Sequence, residues 1–86
     1  MTIRFQKPAI SIPEQIVVLQ QRHLIVSDIP LADHYLTYVG YYRLAGYWQT
    51  LQQDRVNHIF ISGTTFEHVI ELYNFDREFR LLLINA

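Results

Sequence analysis

Residues 38 to 48 read Tyr-Val-Gly-Tyr-Tyr-Arg-Leu-Ala-Gly-Tyr-Trp, and this stretch sets the layout of the chain. It holds five aromatic residues, two glycines and one arginine in eleven positions. Gly40 and Gly46 would each cost about 1 kcal/mol in a helix interior relative to alanine. We therefore expect a break or a tight packing contact near one glycine, and a short helix around Tyr41 to Trp48.

Two helices are expected ahead of this stretch. Ser11 and Glu14 have the spacing of a capping box, and they predict a helix from about Ile12 to about His23. After a short β-branched connector at residues 24–26, Asp28 is the next N-cap candidate, with Pro30 just inside a second helix that runs towards Gly40.

The segment after Trp48 is less regular. Residues 52–57 are the most polar part of the chain and indicate a loop. Residues 58–61 are β-prone, and we expect them to pair with the region 47–51 as a small ribbon. The predicted fold is therefore mainly α, a single helical domain over residues 1–86 with three to four helices and one short β-ribbon or irregular segment around 47–62.

The last helix is the clearest in the sequence. Thr64 to Glu67 reads as a second capping box, which predicts a helix from Thr65 to the chain end. Asp76 and Arg80 form a favourable i,i+4 pair, and Asp76 with Arg77 is expected to anchor a polar network that holds this helix. One apolar stripe comprises Leu72, Phe75, Phe79, Leu82, Leu83 and Ala86, and an adjoining one comprises Phe66, Val69, Ile70 and Tyr73.

So wide an apolar arc needs partners on more than one side of the helix. We expect the preceding 64 residues to be too few to cover it. The predicted oligomer interface is Leu72, Phe75, Phe79, Leu82 and Leu83, and a homodimer is the expected state.

The composition of the chain excludes several classes of site and function. The chain has no cysteine, which excludes disulfides, a zinc knuckle and a thiol nucleophile. Its formal net charge of −1 lacks the basic excess of a dedicated nucleic-acid binder. The start of the sequence has no apolar signal segment, and no window approaches 18 uncharged apolar residues. A cytoplasmic location without membrane contact is expected.

The aromatic stretch admits two interpretations. Tyr41, Tyr42, Arg43, Tyr47 and Trp48 are side chains of the kind that stack on unpaired RNA bases, which makes them candidate RNA-binding residues. The same residues also suit an aromatic core, and the neutral charge favours that interpretation.

Catalysis, metal and cofactor binding find little support. His68 with Glu71, joined by a distant His34, is the one conceivable metal arrangement, and we interpret these histidines as surface or core-edge residues instead. No catalytic residue, metal site or small-molecule cofactor is predicted.

Several blocks in order resemble the N-terminal part of Abi family proteins, the AbiD/AbiF-like abortive-infection proteins of bacteria. They are residues 7–12 and 14–16, Ala32 to Leu36, the Val-Gly-Tyr-Tyr-Arg-Leu-Ala-Gly-Tyr-Trp run at 39–48, Phe60 with residues 63–66, and the Phe-Asp-Arg block within residues 72–83.

The resemblance implies a phage-defence protein whose relatives are longer and are grouped with HEPN domains, helical modules that dimerise and cut RNA without metal. Their expected signature, an Arg followed four to six residues later by a His, has no match in this sequence. We therefore expect the front portion of such a protein, with a structural or dimerisation role and a second copy or a full-length relative as partner. A stand-alone interaction module of antitoxin-like type and a weak RNA-binding module are the alternatives.

Overall fold

The computed structural model describes the backbone of residues 10–85 and the side chains of residues 10–83. Its helices are α1 (Ile12–Gln21), α2 (Ile29–Tyr38), α3 (Tyr41–Trp48) and α4 (Phe66–Asn85). A single 3₁₀ turn, Gln49–Leu51, follows α3 and leads into two short strands, β1 (Gln52–Asp54) and β2 (Ile59–Phe60). The predicted mainly α architecture with a small ribbon is confirmed. Ala86 of the predicted stripe lies outside the described residues.

Helix α1 begins as predicted and ends earlier. The Ser11 hydroxyl accepts from the Glu14 backbone N–H, and the Glu14 carboxylate accepts from the Ser11 N–H at 2.8 Å, which completes the capping box. The prediction that this helix reaches His23 is wrong. His23 has a φ of 77°, and the N–H of Leu24 donates to the Leu19 carbonyl, so the chain leaves the helix through a Schellman motif without glycine.

The connector after α1 ties the two ends of the fold together. Ile25 forms an isolated parallel bridge with Thr65. Its N–H donates to Thr64 and its carbonyl accepts from Phe66, both at 2.9 Å. Leu24 and Val26 on either side are buried. The connector therefore fixes where α4 starts.

The predicted break falls at Gly40. Asp28 caps α2 through a hydrogen bond from the Leu31 N–H, with Pro30 in the first turn as predicted. Gly40 then adopts φ 103° and ψ 149°, a conformation essentially restricted to glycine, and becomes the N-cap residue of α3. The aromatic stretch thus forms the end of α2, a sharp turn and all of α3.

The ribbon uses different residues from those predicted. Strand β1 is Gln52–Asp54, which was expected to be loop. Residues 47–51 are helical, and among them only Leu51 meets the predicted partner segment, where its carbonyl accepts from the Ile61 N–H at 2.9 Å. Gln52 lies opposite Phe60 and Asp54 opposite Ile59. The Asp54 carboxylate accepts from the backbone N–H groups of Val56 and Asn57 and so closes the loop between the strands. Local polar capping, rather than β propensity, makes this hairpin.

The cap of α4 is shifted by one residue from the prediction. The Thr65 hydroxyl accepts from the His68 N–H at 3.2 Å, and His68 Nδ1 accepts from the Thr65 N–H at 3.1 Å. The reciprocal bonds are those of a capping box, with an imidazole in place of the usual carboxylate. Thr64 and Glu67 do not form the predicted pair, because Thr64 is buried and its backbone bonds to Ile25 and Ile61.

One core gathers side chains from every helix and from the ribbon. It contains Ile16, Leu19, Leu24, Val26, Ala32, Leu36, Leu44, Trp48, Phe60, Phe66, Val69 and Ile70. The fully buried side chains of α4 come from its first five residues, and Tyr73 packs half-buried against the core. Nothing beyond Ile70 in the described part of that helix is buried.

We predict opposite effects of alanine at the two glycines of the aromatic stretch. Gly40→Ala is expected to lower the free energy of unfolding by about 1 to 3 kcal/mol, because only glycine tolerates its φ and ψ. Gly46→Ala is expected to raise it by up to about 1 kcal/mol, since Gly46 lies inside α3 and a Cβ there meets nothing within 4 Å. Urea denaturation of both variants measures the two effects. Destabilisation by both would contradict the assignment of the break to Gly40.

Candidate functional site

The outer face of α4, defined as Leu72, Phe75, Phe79, Leu82 and Leu83, is apolar and exposed. The exposed fractions of these residues are 37, 71, 51, 69 and 63%. The Phe75 and Phe79 rings are nearly parallel, with centroids 6.4 Å apart. Clustered exposure of this kind is typical of an interaction surface, whereas scattered apolar residues are ordinary.

The spacing of this face matches a coiled-coil seam. Leu72, Phe75, Phe79 and Leu82 follow one another at three, four and three residues, the repeat of heptad a and d positions. In that register Glu71, Asp76 and Glu78 fall at the flanking positions. The seam is therefore apolar and its borders are acidic.

The opposite side of α4 is the one that joins the core. Phe66, Val69 and Ile70 are buried there, and Tyr73 is half-buried between the rings of Tyr35 and Tyr47. The two predicted stripes thus have different environments: one is packed within the chain, and the described part of the other is exposed, least at Leu72.

A polar link joins α3 to α4 at the edge of the core. The Tyr47 hydroxyl donates to Asp76 Oδ2 at 2.7 Å, and Arg80 Nε donates to the same oxygen at 2.8 Å. The hydrogen bond from Tyr47 lowers the pKa of Asp76, and the bond to this carboxylate raises the pKa of Tyr47. The predicted Asp76–Arg80 pair is confirmed, but the expected network with Arg77 is wrong, because Tyr47 and Arg80 provide the contacts to Asp76.

An open cleft lies beside this link. Its volume is about 510 Å³, and it is lined by Arg43, Gly46, Tyr47, Asp76 and Arg80. Both helices contribute an arginine to it. Nothing in the sequence brings Arg43 and Arg80 together, because they are 37 positions apart and meet only through the packing of α3 on α4.

The structure divides the five candidate RNA-binding residues between two sides of α3. Arg43 and Tyr47 line the cleft, whereas Tyr41, Tyr42 and Trp48 line a second cavity of about 300 Å³. Trp48 is 3% exposed, and its ring meets those of Tyr41 and Phe60 edge-on. Arg22, which sequence reasoning missed, also lines this cavity and donates from Nη1 to the Tyr41 hydroxyl at 3.3 Å. RNA binding by this set remains a prediction.

The histidines have local structural surroundings. His68 caps α4, and the His34 ring packs against those of Tyr35 and Tyr38. Residues 10–85 contain no group of three potential ligands placed to hold a metal ion. Within the same residues, no helix combines the length and apolar character that crossing a bilayer requires.

Comparison with known proteins identifies one relationship. The family model described as Abi-like protein matches residues 34–86, more than half of the chain. No curated protein and no solved structure gives a significant match. The matched region includes α3, the ribbon and α4, and therefore both the cleft and the outer face.

We predict that Tyr47→Phe lowers stability in a pH-dependent way. The bond from Tyr47 favours ionised Asp76, so its contribution is present above the ordinary carboxyl pKa near 3.8 and is lost as pH falls through the lower folded value. The difference in free energy of unfolding between wild type and Tyr47→Phe should shrink as pH falls from 7 to below 3. Urea titrations at several pH values measure it.

Tyr38→Phe is the matched control, because Tyr38 is 77% exposed and takes part in only a ring contact with His34 among the described contacts. A stability difference for Tyr47→Phe that is constant over this pH range would contradict the assigned role of the Asp76 carboxylate.

Proposed function

This chain belongs to the Abi-like protein family, and from that membership we propose that it acts in bacteriophage resistance as a structural, dimer-forming part of an abortive-infection protein. The proposal assigns no catalytic step to the chain. The Arg–His spacing expected of HEPN-type ribonucleases does not occur in its sequence. Its contribution is to build the helical core and to bring two copies together.

The uncovered outer face of α4 is the observation that carries this proposal. Five large apolar side chains on one helix face are costly to leave in water, since burial stabilises by about 25 cal/mol per Å². A second copy fits this face because a heptad seam is self-complementary: the a and d side chains of one helix fill the spaces between those of another. A two-fold dimer also requires the same patch on both protomers.

The position of this face on α4 also favours a dimer. The core packs against the opposite side of the helix, so two copies can meet along their α4 helices with each domain on the outside. Phe75 and Phe79 lie at the middle of the seam and are its aromatic anchors, the residue type that dominates interface energetics.

The acidic borders of the seam favour a second candidate partner. In a homodimer Glu71, Asp76 and Glu78 come close to their counterparts, and like charges there weaken association. A longer relative with basic residues beside its apolar groove would pair with the same borders instead. In that case the chain is a docking or antitoxin-like module.

We predict that Phe79→Asp dissociates the homodimer without unfolding the domain. Loss of a central aromatic anchor costs about 2 kcal/mol or more, so the dimer Kd should rise about 30-fold or more. Sedimentation velocity over a dilution series measures the Kd, and circular dichroism monitors the fold. Val56→Asp is the control, because Val56 is 85% exposed in the ribbon loop, away from α4. A wild-type chain that stays monomeric at all concentrations would overturn the homodimer.

We further predict an unusual dependence of the homodimer on salt. Added NaCl should lower the dimer Kd, because screening weakens the repulsion between the acidic borders. Glu78→Gln should have the same effect at low salt, with Asp33→Asn, at an exposed position on α2, as the control. A complex with a basic-flanked relative would instead weaken as salt rises, so the sign of the salt effect separates the two partners.

A further inference from the structure

Gly46 is the one glycine within α3, and the structure of the helix does not require a glycine at this position. It lies inside the helix, and its φ is not among the positive values of the described backbone. A Cβ placed there meets nothing within 4 Å. Neither backbone conformation nor packing requires glycine, yet the helix gives up about 1 kcal/mol relative to alanine.

The space that Gly46 leaves open belongs to the cleft between α3 and α4. Arg43 and Tyr47 line it from α3, and Asp76 and Arg80 line it from α4. A longer side chain at position 46 would occupy this volume. The glycine therefore keeps the cleft accessible down to the α3 backbone.

The charges around the cleft favour an anion. Two guanidinium groups face one carboxylate there, an excess of positive charge in a chain whose net charge is −1. Arg80 is held by its Nε bond to Asp76, which leaves its terminal N–H groups available for a ligand. Arg43 is exposed and forms no ion pair or hydrogen bond with the rest of residues 10–85.

We propose that this cleft binds a phosphate group between Arg43 and Arg80, with Gly46 providing the space for it. Guanidinium forks match the geometry of phosphate oxygens and form short, charge-assisted hydrogen bonds with them. The hydrogen bonds of Asp76 with Tyr47 and Arg80 orient the Arg80 guanidinium before the ligand binds. The cleft volume exceeds that of a single phosphate, so the group can be free or can be the 5′ end of a nucleotide or an RNA.

This site is separate from the outer face of α4. None of the five cleft residues belongs to that face, although Asp76 lies at its border, and the proposal goes beyond dimer formation. A monomeric Phe79→Asp variant should bind phosphate as the wild type does.

The test is an NMR titration of the ¹⁵N-labelled 86-residue chain with inorganic phosphate, with NaCl of equal ionic strength as the reference. We expect saturable shifts at the Gly46 amide and at the Nε–H groups of Arg43 and Arg80. Arg43→Gln should weaken binding about 10-fold, since a hydrogen bond to a charged group contributes about 1.5 to 3 kcal/mol. Arg55→Gln, which removes an exposed arginine from the ribbon loop, should bind normally.

Gly46→Met is a second variant, chosen because it should change the cleft while the domain stays folded. It should raise the melting temperature, because methionine is a better helix former than glycine, and should weaken phosphate binding by occupying the part of the cleft next to the α3 backbone. Phosphate shifts no larger than those from NaCl, or unchanged binding in both Gly46→Met and Arg43→Gln, would overturn the proposal.

A second titration identifies the source of the phosphate. A short single-stranded RNA with a 5′-phosphate is compared with the same RNA carrying a 5′-hydroxyl and with inorganic phosphate. Tighter binding of the phosphorylated RNA than of inorganic phosphate assigns the cleft to RNA ends. Equal affinity of the two assigns it to free phosphate, and equal binding of the two RNAs contradicts a terminal phosphate site.

Discussion

Helix α4 is much longer than the core against which it packs, and the rest of the structure depends on this difference in length. Helix α4 has 20 residues, about 30 Å of helix, but only its first two turns, up to Tyr73, supply side chains to the core. The Ile25–Thr65 bridge and the His68 cap fix its start. Because the core packs on one side of the first turns of α4, the opposite side of the helix presents a largely exposed apolar face within residues 10–83.

Both candidate sites follow from this geometry. The Tyr47–Asp76 hydrogen bond holds α4 for about two turns beyond Ile70, and the cleft opens beside this bond. The apolar seam centred on Phe75 and Phe79 lies along the same turns, on the other side of α4. We propose a phosphate ligand for the first site and another helix for the second, so that the same helix would serve two contacts.

Features set by neighbouring residues could be predicted from the sequence, whereas long-range contacts could not. The Ser11 capping box, the break at Gly40 and the Asp76–Arg80 pair depend on residues within four positions. Strand β1 was missed because a Gln-Gln-Asp segment has no β-branched residue. The Tyr47–Asp76 bond spans 29 positions and leaves no local signal.

The most direct measurement of this account is amide hydrogen exchange along α4 as a function of protein concentration. Amides of residues 70–73 should exchange slowly at every concentration, since the core of a single chain protects them. Amides of residues 75–83 should exchange quickly in dilute solution and slow down as concentration rises and the outer face is covered. Strong protection of residues 75–83 that does not change on dilution would contradict the account, because it would show that one chain shelters the whole helix.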